Sequence, residues 1–264
     1  MIELSHIGVT FKRGTPLEKQ ALNNINLSIE KGIFVTVIGS NGAGKSTMLG
    51  VLAGDILPSE GRVIINEHDV TQLPTAKRAT QIARVFQDPL LGSCGALTIE
   101  ENFALAAKRG QRRGFSTAIT RAKHDEFCAK VAELGLGLER YIQNRMDSLS
   151  GGQRQALSLI MATLNGADVL LLDEHTAALD PAMADFVMKL TERLINEHHL
   201  TTLMVTHSMR QALDYGDRLV MLHGGSIIFD VSGEAKKKLT VKDLLDKFQQ
   251  ARGDALDSDK MLMD

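Results

Sequence analysis

A glycine-rich segment near residue 40 has the spacing of a phosphate-binding loop. It fits the pattern GxxxxGK[ST] and lies between the apolar run 33–38 and a predicted helix at 46–53. Glycines let backbone N–H groups converge on a phosphate, and a helix N-terminus adds positive potential. We therefore predict that Lys45 contacts the β- and γ-phosphates of ATP and that the Ser46 hydroxyl is a Mg²⁺ ligand. The predicted loop residues are Gly39, Ser40, Asn41, Gly42, Ala43, Gly44, Lys45, Ser46 and Thr47.

Two carboxylates follow an apolar segment later in the chain. Residues 169–172 are apolar and lead directly into Asp173 and Glu174, and strand ends of a parallel sheet point into its ligand crevice. Asp173 is suited to hold Mg²⁺ through water, because this hard ion keeps part of its hydration shell. Glu174 can face the attacking water and polarise it. Taken alone, the segment fits an acidic surface pair equally well; the phosphate loop favours the catalytic interpretation.

A serine and two glycines precede a predicted helix upstream of these carboxylates. Ser150, Gly151, Gly152 and Gln153 would lie at its N-terminus, which is a second place where an anion can bind. Two phosphate-binding segments in one chain suggest that each ATP is shared between two copies. The sequence therefore predicts a homodimer that closes around its ATP molecules.

Together these segments resemble an ATP-binding-cassette nucleotide-binding domain. Residues 149–153, Leu-Ser-Gly-Gly-Gln, are similar letter for letter to the signature motif of that family. The likeness covers roughly residues 2–231, with the motifs in the family's order. The resemblance implies an ATPase that uses ATP and Mg²⁺ and works as a face-to-face dimer.

Three further positions acquire roles from this resemblance. Gln87 matches the glutamine that touches Mg²⁺ and water and couples to a transmembrane partner. Residues 177–180 match the D-loop, whose Asp180 we assign to the nucleotide site, with Ala177 where serine is commoner. His207, after a predicted buried strand, matches the switch histidine near the γ-phosphate. Without the resemblance, Gln87 fits a polar strand end and His207 fits a capping or core histidine.

Two positions carry a residue that is less usual in the family. Phe11 stands at the aromatic position that stacks on adenine, where tyrosine is commoner. A phenylalanine in an apolar strand fits a place in the core as well. His175 stands where the family usually has proline, which predicts a less rigid turn after Glu174 with the chemistry retained.

The composition is that of a globular protein without a membrane span. Of 264 residues, 44% are hydrophobic and 23% are charged, and the net charge of −2 gives no reason to expect a nucleic-acid partner. Cys94 and Cys128 are too far apart for a CxxC pair, which favours a reducing compartment. The start lacks the pattern of a signal peptide, and no uncharged apolar run approaches about 18 residues. We expect the chain to serve a membrane only through a partner.

Strand and helix patterns alternate along the chain. Apolar residues alternate in 2–11 and 22–29, which predicts an antiparallel pair joined by a loop at 14–16. The run 33–38 is apolar on both faces, as in a central parallel strand. Further predicted strands are 61–65, 82–86, 167–172, 201–205 and a closing hairpin of 219–222 with 226–231. Beyond 46–53, the helical regions are 98–162, 181–198 and 241–248.

This alternation predicts an α/β fold with a mainly parallel, helix-flanked sheet. With the resemblance, we expect a P-loop NTPase core, an N-terminal antiparallel β subdomain and an inserted α-helical subdomain at about 88–160. The ATPase domain is placed at 1–250, followed by a polar C-terminal tail at 251–264.

Three functions remain open for such an ATPase. It could energise an importer, an exporter or lipoprotein-extraction complex, or a non-transport process on DNA or ribosomes. The last class usually shows paired cassettes, coiled coils or zinc modules, and this sequence has none. Residues 173–181 and 204–248 resemble a bacterial importer subgroup assigned to aromatic amino acids such as tryptophan or tyrosine. We expect an importer ATPase on the cytoplasmic face of the cell membrane, with transmembrane permease subunits and an extracellular substrate-binding protein.

Two stretches outside these motifs allow two interpretations each. Residues 108–114 are basic and glycine-containing, which favours a solvated loop over contact with anionic head groups or a membrane partner. Residues 239–248 fit an amphipathic helix, which usually packs on its own domain and less often regulates or docks.

Overall fold

Every predicted site residue lies near the end of a strand or the start of a helix. The computed structural model describes residues 1–111 and 117–252. The strands are β1 (Ile2–Phe11), β2 (Lys19–Ile29), β3 (Phe34–Gly39), β4 (Glu60–Ile65), β5 (His68–Asp69), β6 (Ile82–Val85), β7 (Val169–Asp173), β8 (Thr201–Val205), β9 (Arg218–His223) and β10 (Ser226–Ser232). The α-helices are α1 (Lys45–Ala53), α2 (Thr75–Arg78), α3 (Ile99–Ala107), α4 (Arg121–Ala132), α5 (Gly151–Thr163), α6 (Pro181–His198), α7 (Met209–Asp214), α8 (Gly233–Lys237) and α9 (Val241–Arg252).

The chain divides into two compact units. The first unit consists of Met1–Arg78 together with the chain from Thr201 onward, and the second is Ala79–Leu200. The second unit is thus continuous in sequence, whereas the first is assembled from two distant stretches of the chain.

The first unit contains an antiparallel sheet in the order β2-β1-β4-β5. Apolar and polar residues alternate in β1 and β2 because successive side chains of a strand point to opposite faces. Ile2 lies opposite Ile29 of β2 and Ile65 of β4, and all three side chains are buried. The predicted antiparallel pair is confirmed, with β2 beginning at Lys19 rather than at residue 22.

β3 is the central strand of the parallel part of the first unit. It pairs in parallel with β8 and with β9, and β10 pairs with β9 in the antiparallel direction. All six residues of β3 are buried, as expected for a strand covered on both faces. β9 and β10 meet at Gly224 and Gly225, which both have positive φ. The predicted central strand and closing hairpin are confirmed.

The second unit combines a parallel strand pair with helices. β6 and β7 pair in parallel, and the chain between them contains α3, α4, α5 and two short 3-10 helices, Leu138–Tyr141 and Met146–Ser148. Phe103 of α3 and Phe127 of α4 are buried, with ring centroids 5.7 Å apart in an edge-on arrangement. Such aromatic pairs stabilise a core beyond the area that they bury. The prediction of a helical stretch at 98–162 agrees with these helices.

Part of the predicted basic loop is built into the second unit. Arg109 is partly buried, and its Nη2 donates a 2.9 Å hydrogen bond to the carbonyl of Ala162 in α5. Burial lowers the pKa of this guanidinium from its usual value. Arg109 therefore joins the end of α3 to α5, and the solvated-loop prediction is wrong for this residue. Lys108 is exposed, whereas residues 112–114 lie outside the described ranges.

α9 packs on the first unit. Leu244 and Phe248 are fully buried in one apolar cluster with Ile38 of β3 and Met209 of α7. Their spacing of four residues places them on the same face of the helix. The prediction that this helix packs on its own domain is confirmed, and the helix extends to Arg252 rather than ending at residue 248.

The α-helices of the described ranges have between 4 and 18 residues. α2, α7 and α8 have only four to six residues and were not predicted, because such lengths show no periodic pattern. α6 has 18 residues and carries charged side chains on its exposed face. Within residues 1–111 and 117–252, no helix combines the length and the apolar character that crossing a bilayer requires.

We expect Phe248→Ala to destabilise the protein strongly, because it removes a fully buried ring from the cluster behind β3. Loss of a buried phenylalanine costs about 3–5 kcal/mol. Urea unfolding followed by circular dichroism should show the loss, while Gln249→Ala, at an exposed neighbouring position of α9, should leave the curve unchanged. Equal curves for the two variants would mean that α9 does not stabilise this core.

Candidate active site

The phosphate loop requires glycine where one backbone segment passes close to another. A Cβ atom at Gly39 would lie 2.4 Å from the carbonyl oxygen of Leu222, and one at Gly44 would lie 2.6 Å from that of Ala21. Gly42 and Gly44 also have φ values of +76° and +102°, which L side chains rarely adopt. Other residues at these positions would force the loop to take a different path.

The N-terminus of α1 lacks a side-chain cap. Gly44 is its N-cap, no side chain accepts a capping hydrogen bond, and the first turn contains no acidic residue. α3, α5 and α6 begin instead with the side-chain caps Thr98, Ser150 and Asp180. A phosphate can satisfy the uncapped backbone donors and interact with the positive end of the helix. The loop therefore fits the phosphates of a nucleotide.

Lys45 is the first residue of α1, and its ammonium group is held by the loop. Nζ donates hydrogen bonds to the carbonyl oxygens of Gly39 (2.7 Å) and Ser40 (3.2 Å), and the side chain is buried. The lysine therefore bends back toward the segment that the sequence assigns to phosphate. Of the other predicted loop residues, Asn41, Gly42 and Ser46 are exposed, Ser40 and Thr47 are half-buried, and Ala43 and Gly44 are buried.

His207 lies at the same strand end as the phosphate loop. β3 and β8 are parallel, with Val37 opposite Val205. Gly39 and His207 each follow this pair by two residues, so the pairing brings them to one edge of the sheet. Strand register thus unites two predicted site residues that are far apart in sequence.

Polar side chains fix the turn on which half-buried His207 lies. The Thr206 hydroxyl donates to Gln211 Oε1 (2.9 Å) and accepts from the Ser208 N–H (3.1 Å). Ser208 is the N-cap of α7, and its hydroxyl accepts from the Gln211 N–H (3.2 Å). These three residues were not predicted from the sequence, although serine followed three positions later by glutamine is a capping signal.

Phe11 ends β1 beside the phosphate loop. Its ring is 40% exposed, so the core interpretation of this residue is wrong. Phe11 pairs with Lys19 at the start of β2, and Lys19 Nζ would lie 4.0 Å from a Cβ atom at Gly42. The exposed ring can stack on a base, and Lys19 adds a positive charge near the loop. No pattern in the sequence had marked Lys19.

Gln87 and Glu174 are brought together in the second unit. β6 and β7 are parallel, with Val85 opposite Leu172. Gln87 and Glu174 each follow this pair by two residues, and Asp173 is the last residue of β7. The exposed amide of Gln87 and both carboxylates therefore lie at one edge of the strand pair.

Arg84 and Gln155 contact this edge and were not predicted. Arg84 Nη2 forms a 2.7 Å ion pair with Asp173 Oδ2, and its guanidinium lies 4.6 Å from the centre of the Phe86 ring. Gln155 of α5 donates from Nε2 to the Phe86 carbonyl (3.2 Å). Arg84 is the only charged residue of β6, and a single charge in an apolar strand could have marked it as a candidate site residue. The Asp173 carboxylate already holds a cationic group here, and carboxylate oxygens suit Mg²⁺.

The turn after Glu174 is anchored by a buried histidine. Glu174 has a φ of +47°, and His175 is 2% exposed with Nε2 3.0 Å from the Thr191 hydroxyl oxygen. Burial lowers the pKa of His175 to about 4, so the imidazole is neutral at pH 7. The absence of proline predicts a looser turn, but the contact of His175 with Thr191 anchors it.

The signature segment starts α5. Ser150 accepts a hydrogen bond from the Gln153 N–H through Oγ (3.3 Å), and Gln153 Oε1 accepts from the Ser150 N–H (3.1 Å). A Cβ atom at Gly152 would lie 2.1 Å from Met183 Cγ, so α5 approaches α6 closely there. Asp180 caps α6 by accepting from the Met183 N–H (3.0 Å). Ser150 and Asp180 therefore share a region of the second unit.

The sequence matches the family described as ABC transporter over residues 22–177. This match covers more than half of the 264-residue chain and includes the phosphate loop, the signature segment and Glu174. The chain belongs to the ABC transporter family. Three predicted residues of this ABC subunit, Phe11, Asp180 and His207, lie outside the matched range, and their assignment depends on the geometry given above.

Relatives of this ABC subunit match most of its length. The tyrosine transport ATP-binding protein of Clostridioides difficile is 41% identical over 251 residues, which are 95% of this chain and 100% of that protein. The phosphonates import ATP-binding protein of Alcaligenes faecalis is 33% identical, with 87% and 82% covered. The MJ0796 cassette of Methanocaldococcus jannaschii, solved as a dimer bound to ADP and Pi, is 30% identical with a TM-score of 0.75, covering 88% of this chain and 98% of that one.

These comparisons establish the fold class and the activity. The chain is the ATP-hydrolysing subunit of an ABC transporter, it has the α/β P-loop NTPase fold, and it uses ATP and Mg²⁺. Cassettes of this family dimerise and pair with transmembrane permease subunits. The predicted family, activity and cofactors are therefore confirmed.

We expect Lys45→Ala to weaken ATP binding by about tenfold or more, because a hydrogen bond to a charged group contributes about 1.5–3 kcal/mol. Calorimetric titration with ATP measures the change. Lys31→Ala, which removes an exposed lysine of the same unit, is the matched control and should bind ATP like the parent. Unchanged ATP affinity of Lys45→Ala would refute the predicted contact of Lys45 with the phosphates.

Proposed function

We propose that this ATPase powers the import of an amino acid, with aromatic amino acids such as tyrosine as the substrate class. The observation that carries the proposal is the 41% identity to a tyrosine transport ATP-binding protein over that protein's full length. A match of this extent includes surfaces outside the nucleotide site, on which pairing with a particular permease depends. The similarity to a phosphonates import protein supports the inward direction of transport.

The proposed assembly places two copies of the chain beneath a permease. Each copy binds at the cytoplasmic face of the membrane to a separate transmembrane permease subunit. An extracellular substrate-binding protein delivers the amino acid to that permease. The segment around Gln87, which is exposed and held at its start by the Gln155 contact with Phe86, is the proposed contact of each copy with its permease.

The first unit supplies the proposed contacts with ATP. Lys45 binds the β- and γ-phosphates, and the backbone donors at the uncapped start of α1 bind the same anion. His207 holds the γ-phosphate from the neighbouring strand end. The exposed ring of Phe11 stacks on adenine.

The second unit supplies the proposed catalytic carboxylate. Glu174 accepts a proton from the attacking water and directs that water at the γ-phosphate. Ser46, Gln87 and Asp173 are the proposed ligands of Mg²⁺, with Asp173 acting through water. When bound, Mg²⁺ neutralises charge that develops on the phosphates during transfer.

The signature segment supplies the proposed contact across the dimer. Ser150, Gly151 and Gly152 bind the ATP held by Lys45 of the partner copy, and Gln153 holds Ser150 in place through the reciprocal cap. Asp180 lies close to the same dimer surface. ATP would then join the two copies, and its hydrolysis would release them.

We expect Glu174→Gln to hydrolyse ATP at least about 100-fold more slowly, because the amide cannot accept a proton. The variant should still bind ATP, which would then hold two copies together. Steady-state release of phosphate measures the first effect, and size-exclusion chromatography with ATP and Mg²⁺ measures the second. Glu192→Gln, at an exposed position of α6, is the control and should match the parent in both measurements.

Addition of Ser150→Arg to the Glu174→Gln variant should abolish the dimer, because a large cation would fill the second phosphate site. Parental turnover of Glu174→Gln would refute the role of Glu174 as the base. A dimer that persists with Ser150→Arg would refute the proposed contact of the signature segment.

The substrate class can be tested by uptake in cells. A strain that lacks this chain should lose most high-affinity uptake of radiolabelled tyrosine, and uptake should return with the parent chain but not with Glu174→Gln. Uptake of radiolabelled lysine, which shares no aromatic ring, serves as the control and should be unchanged. Undiminished tyrosine uptake in the deletion strain would contradict the proposed substrate class.

A further inference from the structure

The backbone conformation of Glu174 is unusual for a residue with a side chain. Its φ of +47° lies in the left-handed region, which costs free energy for residues other than glycine. Such a conformation persists only where neighbouring contacts hold it. One contact is local, because the Ala177 N–H donates to the Glu174 carbonyl (3.0 Å) and closes a turn.

A second contact anchors this turn to α6. His175 is 2% exposed, and its Nε2 lies 3.0 Å from Oγ1 of Thr191, which is fully buried. The Thr191 hydroxyl lies 2.8 Å from the Val187 carbonyl, which can only accept, so the hydroxyl proton points there. The same hydroxyl oxygen must therefore accept from His175, and the imidazole carries its proton on Nε2.

The segment after Glu174 is thus tied to α6 at both ends. His175 binds Thr191 in the middle of the helix, and Asp180 caps its first turn through the Met183 N–H. Residues 177–180 span the distance between these two attachments. Removal of the His175 contact would remove one of these two attachments of the segment to α6.

We propose that His175 is a positioning residue, whose hydrogen bond to Thr191 holds Glu174 in the conformation in which its carboxylate meets the attacking water. The proposal rests on the role of Glu174 given above and assigns a function to two residues that do not themselves touch ATP. It predicts a change in turnover without a change in ATP affinity, since neither residue belongs to the phosphate loop.

The test removes the acceptor and keeps the packing. Thr191→Val is close to isosteric and cannot accept from His175, whereas Thr191→Ser keeps the hydroxyl. We expect kcat of Thr191→Val to fall about tenfold, equal to about 1.4 kcal/mol of activation free energy, with KM for ATP within about twofold of the parent. Thr191→Ser should restore most of the lost turnover. Parental kcat in Thr191→Val would overturn the proposal.

A double variant separates positioning from general destabilisation. In the Glu174→Gln background, Thr191→Val should change residual hydrolysis in single-turnover assays with radiolabelled ATP by less than about twofold, because the group that it positions is gone. An equal loss of turnover in both backgrounds would overturn the proposal, since Thr191 would then act independently of Glu174. His175→Phe, which fills the site without a donor, should reproduce the Thr191→Val effect.

Different results would reject the role of Glu174 as the base and the positioning role of His175. Parental turnover of Glu174→Gln would reject Glu174 as the base and the positioning role with it. Loss of turnover in Glu174→Gln combined with parental turnover in Thr191→Val would reject the positioning role alone. Urea unfolding of each variant, measured at the assay temperature, shows that the protein assayed is folded.

Discussion

Parallel pairing of strands is the constraint on which the arrangement of the active-site residues depends. In the first unit, the pairing of Val37 with Val205 brings Gly39 and His207 to one edge of the sheet. In the second unit, the pairing of Val85 with Leu172 does the same for Gln87 and Glu174. A shift of either register by one residue would turn each functional side chain to the opposite face of its sheet. The buried, apolar character of β3 and β7 prevents such a shift. Packing of the core therefore determines where the active-site residues lie.

The N-termini of α1 and α5 are capped differently, and this difference distinguishes the two proposed phosphate sites of the chain. Most long helices of the described ranges satisfy their first backbone donors with a side chain, as Thr98 and Ser150 do. α1 does not, and its N-cap is a glycine in the left-handed conformation. A bound phosphate can interact with the backbone donors at this helix start. The start of α5 differs from that of α1 because the Ser150 hydroxyl already caps it. A phosphate bound there would share the first backbone donors of α5 with this hydroxyl.

Patterns that lie within one segment were predictable from the sequence. The phosphate loop, the carboxylates after β7 and the central strand could be predicted because each depends on residues that are close in sequence. Gln155 and Thr191 could not, because their partners belong to other elements and are chosen by register and packing. Arg84 could be noticed as the one charged residue of β6, but its pairing with Asp173 could not be predicted. The short helices α7 and α8 escaped prediction because few residues define them. The exposure of the Phe11 side chain could not be predicted, because an apolar strand predicts burial for most of its residues.

The division of the first unit between two distant stretches of chain has a consequence for biosynthesis. β3 emerges from the ribosome early, but its partners β8 and β9 follow much later, with Val205 being 168 residues after Val37 (205 − 37). The second unit is continuous and is fully translated before β8 and β9, so it can complete its local contacts first. Until β8 is made, the apolar β3 has no parallel partner, and until β9 is made, Gly39 lacks the Leu222 carbonyl against which its loop is shaped. A nascent chain therefore exposes a hydrophobic strand, and a chaperone bound there would protect it until β8 and β9 have been translated.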